Sequence, residues 1–206
     1  MGRRSTISIN LRPHIVRATL IACMVTSFFA GGICSNAADS NQATGVNLSG
    51  QPVDPLKTAN GKVTVLIFVR TDCPISNRYA PTIQRLSAQF AGRSTFWLIY
   101  PAKSETSGSI QQHLKQYGYK LGALQDPQHT LIKASHVEVT PEAAVFNASG
   151  DLVYHGRIDN WYEDFGHART VPTTHELADA ISAVLNGRRP TVNSSPAIGC
   201  YISDLQ

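Results

Sequence analysis

The central part of the chain alternates short apolar runs with amphipathic stretches. Thr64–Val69 is almost wholly apolar and rich in β-branched residues, so it predicts a buried strand. A helical pattern follows near residues 75–91, and a second apolar strand is predicted for Ser94–Tyr100, closed by Pro101. A strand, a helix and a strand in this order favour two parallel strands joined by a right-handed crossover.

The later part of the chain adds a hairpin and a last helix. Asn147–Gly150 is a hairpin turn, a long loop covers residues 159–172, and the last helix runs from Thr173 or Thr174 to Asn186. Alternating strands and helices followed by a hairpin predict an α/β fold. The other predicted elements are a weak strand and turn over Val46–Val53, helices over Ser109–Tyr117 and Pro127–Ser135, and strands over Ala123–Asp126, Thr140–Phe146 and Asp151–Ile158.

The first 37 residues differ in composition from the rest of the chain. They contain four arginines and no acidic residue, and residues 18–30 are almost wholly apolar. Ser35 and Ala37 then supply small residues of the kind a signal peptidase reads, which predicts a signal peptide over 1–37. An uncleaved membrane anchor is the alternative. The predicted organisation continues with a linker over 38–44, one domain over 45–187 and a tail over 188–206 that carries Cys200.

Removing this segment changes the charge balance. The whole chain has 18 basic and 14 acidic side chains, so without the four N-terminal arginines 14 basic side chains face 14 acidic ones. Nothing in the remaining domain then indicates a nucleic-acid partner. Of the four cysteines, only Cys73 and Cys200 stay in the predicted mature protein. In an oxidising compartment such a pair is expected to be either bonded or redox active.

Cys73 is the residue with the clearest chemical signal. It follows the predicted strand Thr64–Val69 and precedes Pro74, which fits a first helical turn because its missing N–H costs nothing there. Unpaired backbone N–H groups and the positive end of a helix dipole lower the pKa of a cysteine and make it a usable nucleophile. Asp72 opposes thiolate formation by its like charge, or it caps the helix instead.

The segment Phe68–Pro81, with its second proline eight residues after Cys73, resembles the active site of the thioredoxin superfamily. It is most similar to the redoxin branch, the thioredoxin-like and alkyl hydroperoxide reductase/thiol-specific antioxidant proteins. The resemblance implies a thioredoxin-like α/β fold, in which helices flank a central mixed sheet, with an N-terminal hairpin and a C-terminal tail. It also implies that Pro81 kinks its helix.

Departures from the family patterns leave the reaction open. Thioredoxin has Cys-x-x-Cys, whereas this chain has Ser76 at the second cysteine position. Peroxiredoxins have Pro-x-x-x-Thr-x-x-Cys, whereas this chain has Leu66 and Arg70 at the proline and threonine positions, with the nearest threonine at Thr71. Copper-delivery relatives use Cys-x-x-x-Cys, but Asn77 takes the place of their second cysteine, so no metal site is predicted.

Thr140-Pro141 precedes a strand and resembles the cis-proline loop that faces the nucleophile in this superfamily. A cis bond there would present a backbone edge to which a substrate chain adds as a strand. An ordinary trans proline that opens a strand is the alternative. The resemblance thus implies substrate-binding roles for residues of both loops, namely Thr71, Pro74, Ser76, Thr140 and Pro141.

Arg157 lies on the returning strand of the predicted hairpin. If Pro141 is beside Cys73, the first strand of the hairpin leaves the site and the second returns to it, which brings Arg157 near the thiol. A guanidinium there would stabilise the thiolate, so Arg157 is a candidate catalytic residue. A surface arginine paired with Asp159 is the alternative.

Cys200 lies on the tail that follows the last helix. From Gly187 the tail can extend about 43 Å, whereas the radius of gyration of such a domain is about 15 Å. The tail is therefore long enough for a Cys73–Cys200 bond. Typical two-cysteine peroxiredoxins carry a resolving cysteine on their tail, which implies a catalytic role for Cys200. A purely structural disulfide is the alternative.

Three functions remain open. The first is an exported thiol–disulfide oxidoreductase, periplasmic or extracellular, in which Cys73 attacks a disulfide and Cys200 or an external thiol resolves the product. The second is a thiol-dependent peroxidase in which Cys73 attacks a peroxide. The third is a secreted binding domain whose two cysteines form a permanent disulfide. The expected partners are a protein or small-molecule disulfide or peroxide and an external thiol reductant, with no cofactor.

Overall fold

The structure, a computed structural model, describes residues 43–202, so the predicted signal peptide and most of the predicted linker lie outside the described residues. Its strands are β1 (Gly45–Asn47), β2 (Pro52–Val53), β3 (Val63–Phe68), β4 (Ser94–Tyr100), β5 (Gly122–Gln125), β6 (Val139–Thr140), β7 (Glu142–Phe146), β8 (Leu152–Gly156), β9 (Ser194–Ser195) and β10 (Cys200–Tyr201). Its helices are α1 (Pro55–Thr58), α2 (Pro74–Arg78), α3 (Ala80–Gln89), α4 (Ser107–Gln116), α5 (Thr130–Ser135) and α6 (Glu176–Leu185). Within this part of the chain, no helix is both long and apolar enough to cross a membrane.

A mixed sheet of eight strands forms the centre of the domain, in the order β2-β1-β5-β4-β3-β7-β8-β9. Strands β3, β4 and β5 are parallel, whereas β7 pairs antiparallel with both β3 and β8. Strands β1 and β2 form an antiparallel hairpin at one edge. The mixed central sheet and the N-terminal hairpin confirm the predicted thioredoxin-like fold.

Strand β3 contributes to the core on both faces of the sheet, because successive side chains of a strand point in opposite directions. Val65 and Ile67 belong to one apolar cluster with residues of α3, α4 and α6. Leu66 and Phe68 belong to a second cluster with residues of α5. Every residue of β3 is buried, which explains why this segment is continuously apolar rather than alternating.

The predicted helix over 75–91 is two helices, α2 and α3, which meet at Tyr79. Pro81 has no N–H to donate to the carbonyl of Asn77, and its ring crowds the preceding turn. The predicted kink at Pro81 is therefore confirmed as a break. As a result, α2 is only five residues long. It begins at the residue after Cys73.

The predicted strand over Thr140–Phe146 is split by a cis peptide bond between Thr140 and Pro141, which confirms the predicted cis-proline. After this bond, β7 enters the central sheet between β3 and β8. Before it, β6 stands apart from the central sheet and pairs with β10. The backbone edge of β6 is therefore separate from the edges of the central sheet.

The C-terminal tail contains two short strands that the sequence did not predict. Strand β9 adds to the central sheet parallel to β8, with His155 opposite Ser194. Strand β10 then crosses to the cis-proline loop and pairs antiparallel with β6, with Cys200 opposite Thr140. The tail is thus packed on the domain at two separate places.

Candidate active site

Cys73 follows β3 and is the N-cap residue of α2, with Pro74 in the first helical turn. Its side chain is fully buried, and its sulfur accepts a hydrogen bond from the Ser76 N–H at 3.5 Å. The predicted position of the thiol at a strand-to-helix junction is confirmed. The backbone donor favours the charged form of the thiol.

Cys73 also contacts the cis-proline loop. Its thiol donates a hydrogen bond to the Thr140 carbonyl oxygen at 3.1 Å, and Thr140 is itself fully buried. The predicted packing of the Thr140-Pro141 bond against the thiol is therefore confirmed. The candidate nucleophile and the residue before the cis-proline share one closed site.

Strand β10 brings Cys200 to the same place. Cys200 pairs with Thr140 in the two-stranded sheet, and Cys73 and Cys200 are both free thiols. The Cys200 side chain is the largest of the influences that lower the pKa of Cys73, although burial opposes it. The structure thus brings together the two cysteines that the sequence identified as a pair.

The two thiols have opposite pKa shifts. Burial is the largest influence on Cys73 and raises its pKa, but hydrogen bonds from the Cys200 thiol, from Ser76 and from the Cys200 backbone outweigh burial, so the pKa of Cys73 is lowered. Burial, followed by the hydrogen bond with Cys73 and the charge of Cys73, raises the pKa of Cys200 to about 12. These opposite shifts favour ionisation of Cys73 over ionisation of Cys200.

Ser76 faces the thiol as well. Its hydroxyl is buried and forms no hydrogen bond of standard geometry with any described residue. It is nevertheless near enough to Cys73 to help lower the pKa of that thiol. A hydroxyl rotates freely about its C–O bond, so that of Ser76 can donate to the thiolate when one forms.

A buried polar network supports the loop before the thiol. Asn77 donates from Nδ2 to the Thr71 carbonyl oxygen at 3.1 Å, and its Oδ1 is 2.8 Å from His113 Nε2. His113 Nδ1 is 2.9 Å from the Tyr100 hydroxyl, and burial lowers the pKa of His113. A neutral His113 with its proton on Nε2 satisfies both contacts. On the other side of the loop, the Thr71 N–H donates to Glu105 Oε1 at 2.6 Å, and burial raises the pKa of Glu105.

These supporting residues gave no functional signal in the sequence. Asn77 was noted only because a metal-binding relative would have cysteine there, and nothing around Glu105 marks a buried carboxylate. Asn77 does lie one helical turn after Cys73, on the same face of the helix. A polar residue at that spacing is the signal that could have indicated a positioning role.

Arg157 does not make the contact that the sequence predicted. Its guanidinium binds the carboxylate of Glu176 at the start of α6, with Nε 2.9 Å from Oε1. Arg157 is not among the main influences on the pKa of Cys73. The second strand of the hairpin does run back as predicted, but α6 places the Glu176 carboxylate beside Arg157 at the end of that strand. Glu176 therefore replaces both predicted partners, the Cys73 thiolate and the alternative Asp159.

Arg70 is the arginine that contacts the tail. It pairs with Asp72, with Nη2 2.8 Å from Oδ2, and its Nη1 donates to the Tyr201 carbonyl oxygen at 3.4 Å. The charge of Arg70 lowers the pKa of Cys200, whereas that of Asp72 raises it. Asp72 is not the cap of α2, because Cys73 holds that position.

The other predicted substrate-binding residues lie in the loop before Cys73, at the start of α2 and in the cis-proline loop. The Thr71 backbone belongs to the supporting network, Pro74 is exposed and Pro141 is buried. Their roles towards a substrate stay predictions. Within residues 43–202, no group of three or more His, Cys, Asp or Glu side chains is arranged to hold a metal ion.

The fold and the site define a thioredoxin-like protein with a buried thiol at the start of a helix, a cis-proline loop against it and a second thiol on the tail. The chain belongs to the Redoxin family, whose family model matches residues 35–170. This membership supports an oxidoreductase role in general. The match ends before α6 and the tail, so it does not include Cys200.

Solved structures share the fold at low sequence identity. An uncharacterized conserved protein from Geobacillus kaustophilus is 22% identical with a TM-score of 0.67, over 77% of this chain and 86% of that chain. A hypothetical protein from Sinorhizobium meliloti 1021 is 22% identical with a TM-score of 0.64, over 77% of this chain and 88% of that chain. An exposed lipoprotein thioredoxin from Streptococcus pneumoniae strain TIGR4 is 19% identical with a TM-score of 0.50, over 70% of this chain and 97% of that chain. No curated protein matches the chain.

Proposed function

We propose that this protein is a thiol–disulfide oxidoreductase in which Cys73 is the nucleophile and Cys200 is the resolving thiol. The observation that carries the proposal is the meeting of two free thiols at Thr140, which accepts a hydrogen bond from Cys73 at 3.1 Å and pairs with Cys200 in the two-stranded sheet. The pKa is lowered for Cys73 and raised to about 12 for Cys200. Such a pair combines one thiol whose ionisation and attack are favoured with a second thiol that stays protonated.

The reaction balances as a two-electron exchange. The Cys73 thiolate attacks one sulfur of a substrate disulfide, forms a mixed disulfide and releases the other substrate sulfur as a thiolate. Cys200 then loses its proton and attacks Cys73 Sγ, which forms the Cys73–Cys200 disulfide and releases the second substrate thiolate. The substrate gains two electrons, and an external dithiol reductant returns the protein to its reduced state.

The environment of Cys200 favours this order of steps. In the reduced protein, after burial, the hydrogen bond with Cys73 and the charge of Cys73 raise the pKa of Cys200. Both effects disappear once Cys73 is bonded to the substrate, while the charge of Arg70 continues to lower that pKa. Cys200 therefore becomes easier to deprotonate only after the first attack.

The peroxidase alternative has less support from the contacts of the site. The peroxidase hypothesis expects a cation beside the thiol that positions the peroxide. The predicted cation, Arg157, is bound to Glu176 instead.

We also propose that the protein acts outside the cytoplasm. The support is the acid-free, arginine-containing start of the chain with its apolar run and small residues before Ala38. N-terminal sequencing of the protein from fractionated cells should find a start near Ala38 in an extracytoplasmic fraction. Retention of Met1 on soluble cytoplasmic protein would show that the export proposal is wrong.

The catalytic proposal is tested by trapping the intermediate. Reduced protein is mixed with a polypeptide disulfide such as insulin, quenched with acid and analysed by mass spectrometry. Cys73→Ser should lower the reduction rate by more than about 10³-fold. Cys200→Ser should retain the first attack and accumulate a mixed disulfide on Cys73. A parallel reaction with hydrogen peroxide separates the alternatives: sulfenic acid on Cys73, formed faster than the mixed disulfide, would favour the peroxidase.

If Cys73 stays bonded to Cys200 and unreactive under reducing conditions that preserve the fold, the protein is a binding domain. Reduction of the disulfide substrate by Cys73→Ser at the wild-type rate would equally remove Cys73 from the mechanism. The two cysteine variants control for each other, because each removes one sulfur atom from the same pair of thiols.

A further inference from the structure

The last strand of the tail occupies the free backbone edge of the cis-proline loop. Cys200 pairs with Thr140, and the Thr140 hydroxyl donates to the Cys200 carbonyl oxygen at 3.4 Å. The Ile202 N–H donates to the Glu138 carbonyl oxygen at 3.1 Å. The tail therefore binds β6 as an added strand, which is the way an extended polypeptide binds an exposed sheet edge.

The fit of this strand depends on a glycine. A Cβ on Gly199 would overlap the carbonyl oxygen and carbon of Thr140, and it would come within 3.2 Å of Pro141 N. The carbonyl in question is the acceptor of the Cys73 thiol hydrogen bond, so it cannot move without disturbing the site. The edge therefore selects glycine at the position before the cysteine of the strand.

Apolar side chains hold the tail strand on both sides. Ile202 is 5% exposed and belongs to the apolar cluster that contains Leu66 and Phe68, whereas the partly buried Ile198 packs against the cluster on the other face of the sheet. Tyr201 between them is 77% exposed. The tail strand, Ile198–Ile202, thus has one buried and one partly buried apolar anchor, a glycine against the Thr140 carbonyl, and a cysteine opposite Thr140.

We propose that the tail strand is a displaceable occupant of the β6 edge, and that an extended polypeptide with glycine directly before its cysteine binds the same edge when the tail leaves. Val139–Thr140 can pair with only one strand on this edge, so the tail and the substrate alternate. The return of the tail displaces the substrate strand and brings Cys200 to the mixed disulfide. The exchange of tail and substrate on this edge rests on the proposed function. The shielding of Cys73 by the tail does not depend on that function.

This shielding is tested on reduced protein without turnover. Gly199→Ala keeps both cysteines and forces the strand away from Thr140, so the plateau rate of Cys73 alkylation at high pH should rise about tenfold or more. Ile202→Ala removes an anchor and should act in the same direction. Gly166→Ala is the matched control, because a Cβ there would meet only an Asp164 oxygen at 3.6 Å. Peptide mass spectrometry separates Cys73 from Cys200.

Retained amide protection in β3 and β7 by hydrogen exchange shows that each variant is folded. Wild-type alkylation rates in both folded tail variants would overturn the proposal. Loss of protection at Ile202 together with faster alkylation of Cys73 would support it. Since neither readout needs a disulfide substrate, an inactive wild-type protein would contradict the proposed function alone and leave this result standing.

The requirement for glycine before the cysteine is tested with a separate peptide added to the protein. A peptide with the sequence of residues 196–202, with serine in place of Cys200, should bind the Gly199→Ala protein and slow the alkylation of its Cys73. The same peptide with alanine in place of Gly199 should not. If the two peptides slow alkylation equally, or if neither slows it, the proposal that the β6 edge requires glycine before the cysteine is wrong.

Discussion

At the thiol itself, hydrogen bonds rather than a cation favour the charged form. Burial opposes ionisation of Cys73, and the donors that outweigh it come from Ser76 and Cys200. Arg157, the cation expected from the sequence, is bound to Glu176. The reactivity of Cys73 should therefore depend on short neutral contacts, each of which a single substitution can remove.

The Ser76→Ala variant should raise the pKa of Cys73. The substitution removes the hydroxyl that lowers this pKa but keeps the backbone N–H that donates to the sulfur. The alkylation rate of Cys73, followed against pH, should reach half its plateau at a higher pH than in the wild type. Below that midpoint the rate should fall about tenfold for each pH unit, as the thiolate fraction does.

Ser135→Ala is the matched control for this variant. Ser135 is also buried, its hydroxyl also lacks a hydrogen-bond partner of standard geometry among the described residues, and it lies in α5. In Ser135→Ala, the pH at which the Cys73 alkylation rate reaches half its plateau should equal that of the wild type. An unchanged midpoint in Ser76→Ala would mean that the hydroxyl does not act on the thiolate.

Residues whose role depends on neighbours in sequence could be predicted, and those whose role depends on distant partners could not. Cys73 and Pro141 are marked by the proline, strand and helix patterns next to them. Arg157 was predicted on the returning strand but directly follows β8, which ends at Gly156, and its partner Glu176 lies 19 residues away on another element. Which carboxylate reaches it depends on the packing of α6, and no local pattern contains that information.

At the level of elements, prolines divide the predicted segments and glycines let the tail approach. Pro81 separates α2 from α3, and Pro141 separates β6 from β7. Both effects follow from the backbone chemistry of proline, so the sequence could indicate them. Strands β9 and β10 have two residues each, which is too short for any periodicity. Long-range pairing alone determines them.

The Gly156→Ala variant should destabilise the protein by about 1–3 kcal/mol. Gly156 has a φ of +140°, a conformation that residues with a side chain rarely adopt, and a Cβ would overlap the Ser195 carbonyl oxygen. Its substitution should therefore separate β9 from β8. The free energy of unfolding in urea measures the loss. Gly166→Ala should stay within about 0.5 kcal/mol of the wild type, and an equally small loss for Gly156→Ala would show that the close approach of β9 is dispensable.

At the level of the whole molecule, the topology brings distant segments to one end of the sheet. Parallel strands β3 and β4 end on the side where the cis-proline loop lies, and ligand sites of such sheets lie at the carboxyl ends of their strands. The order of elements in the sequence was sufficient to predict this arrangement. The order of elements was not sufficient to place the tail, because the extended length of the tail allowed Cys200 to lie almost anywhere on the domain.

The oxidised protein should be more stable than the reduced protein. A Cys73–Cys200 bond closes a loop of about 127 residues. The bond lowers the entropy of the unfolded chain, which should raise the free energy of unfolding by at most roughly 5 kcal/mol. The two thiols are already adjacent in the reduced fold, so the bond should need little rearrangement. Urea unfolding of both forms measures the difference in the free energy of unfolding, and Cys200→Ser should show no difference between oxidising and reducing conditions.

This difference in the free energy of unfolding also determines whether the two cysteines reduce disulfides or oxidise thiols in a cell. By a thermodynamic cycle, each 1.4 kcal/mol by which the fold favours the bond lowers the reduction potential by about 30 mV. A strongly stabilised bond makes the reduced pair a good donor of electrons, so the protein would reduce or isomerise disulfides with the help of a reductant. A bond that destabilises the fold would contradict the prediction, and it would make the same two cysteines an oxidant of other thiols.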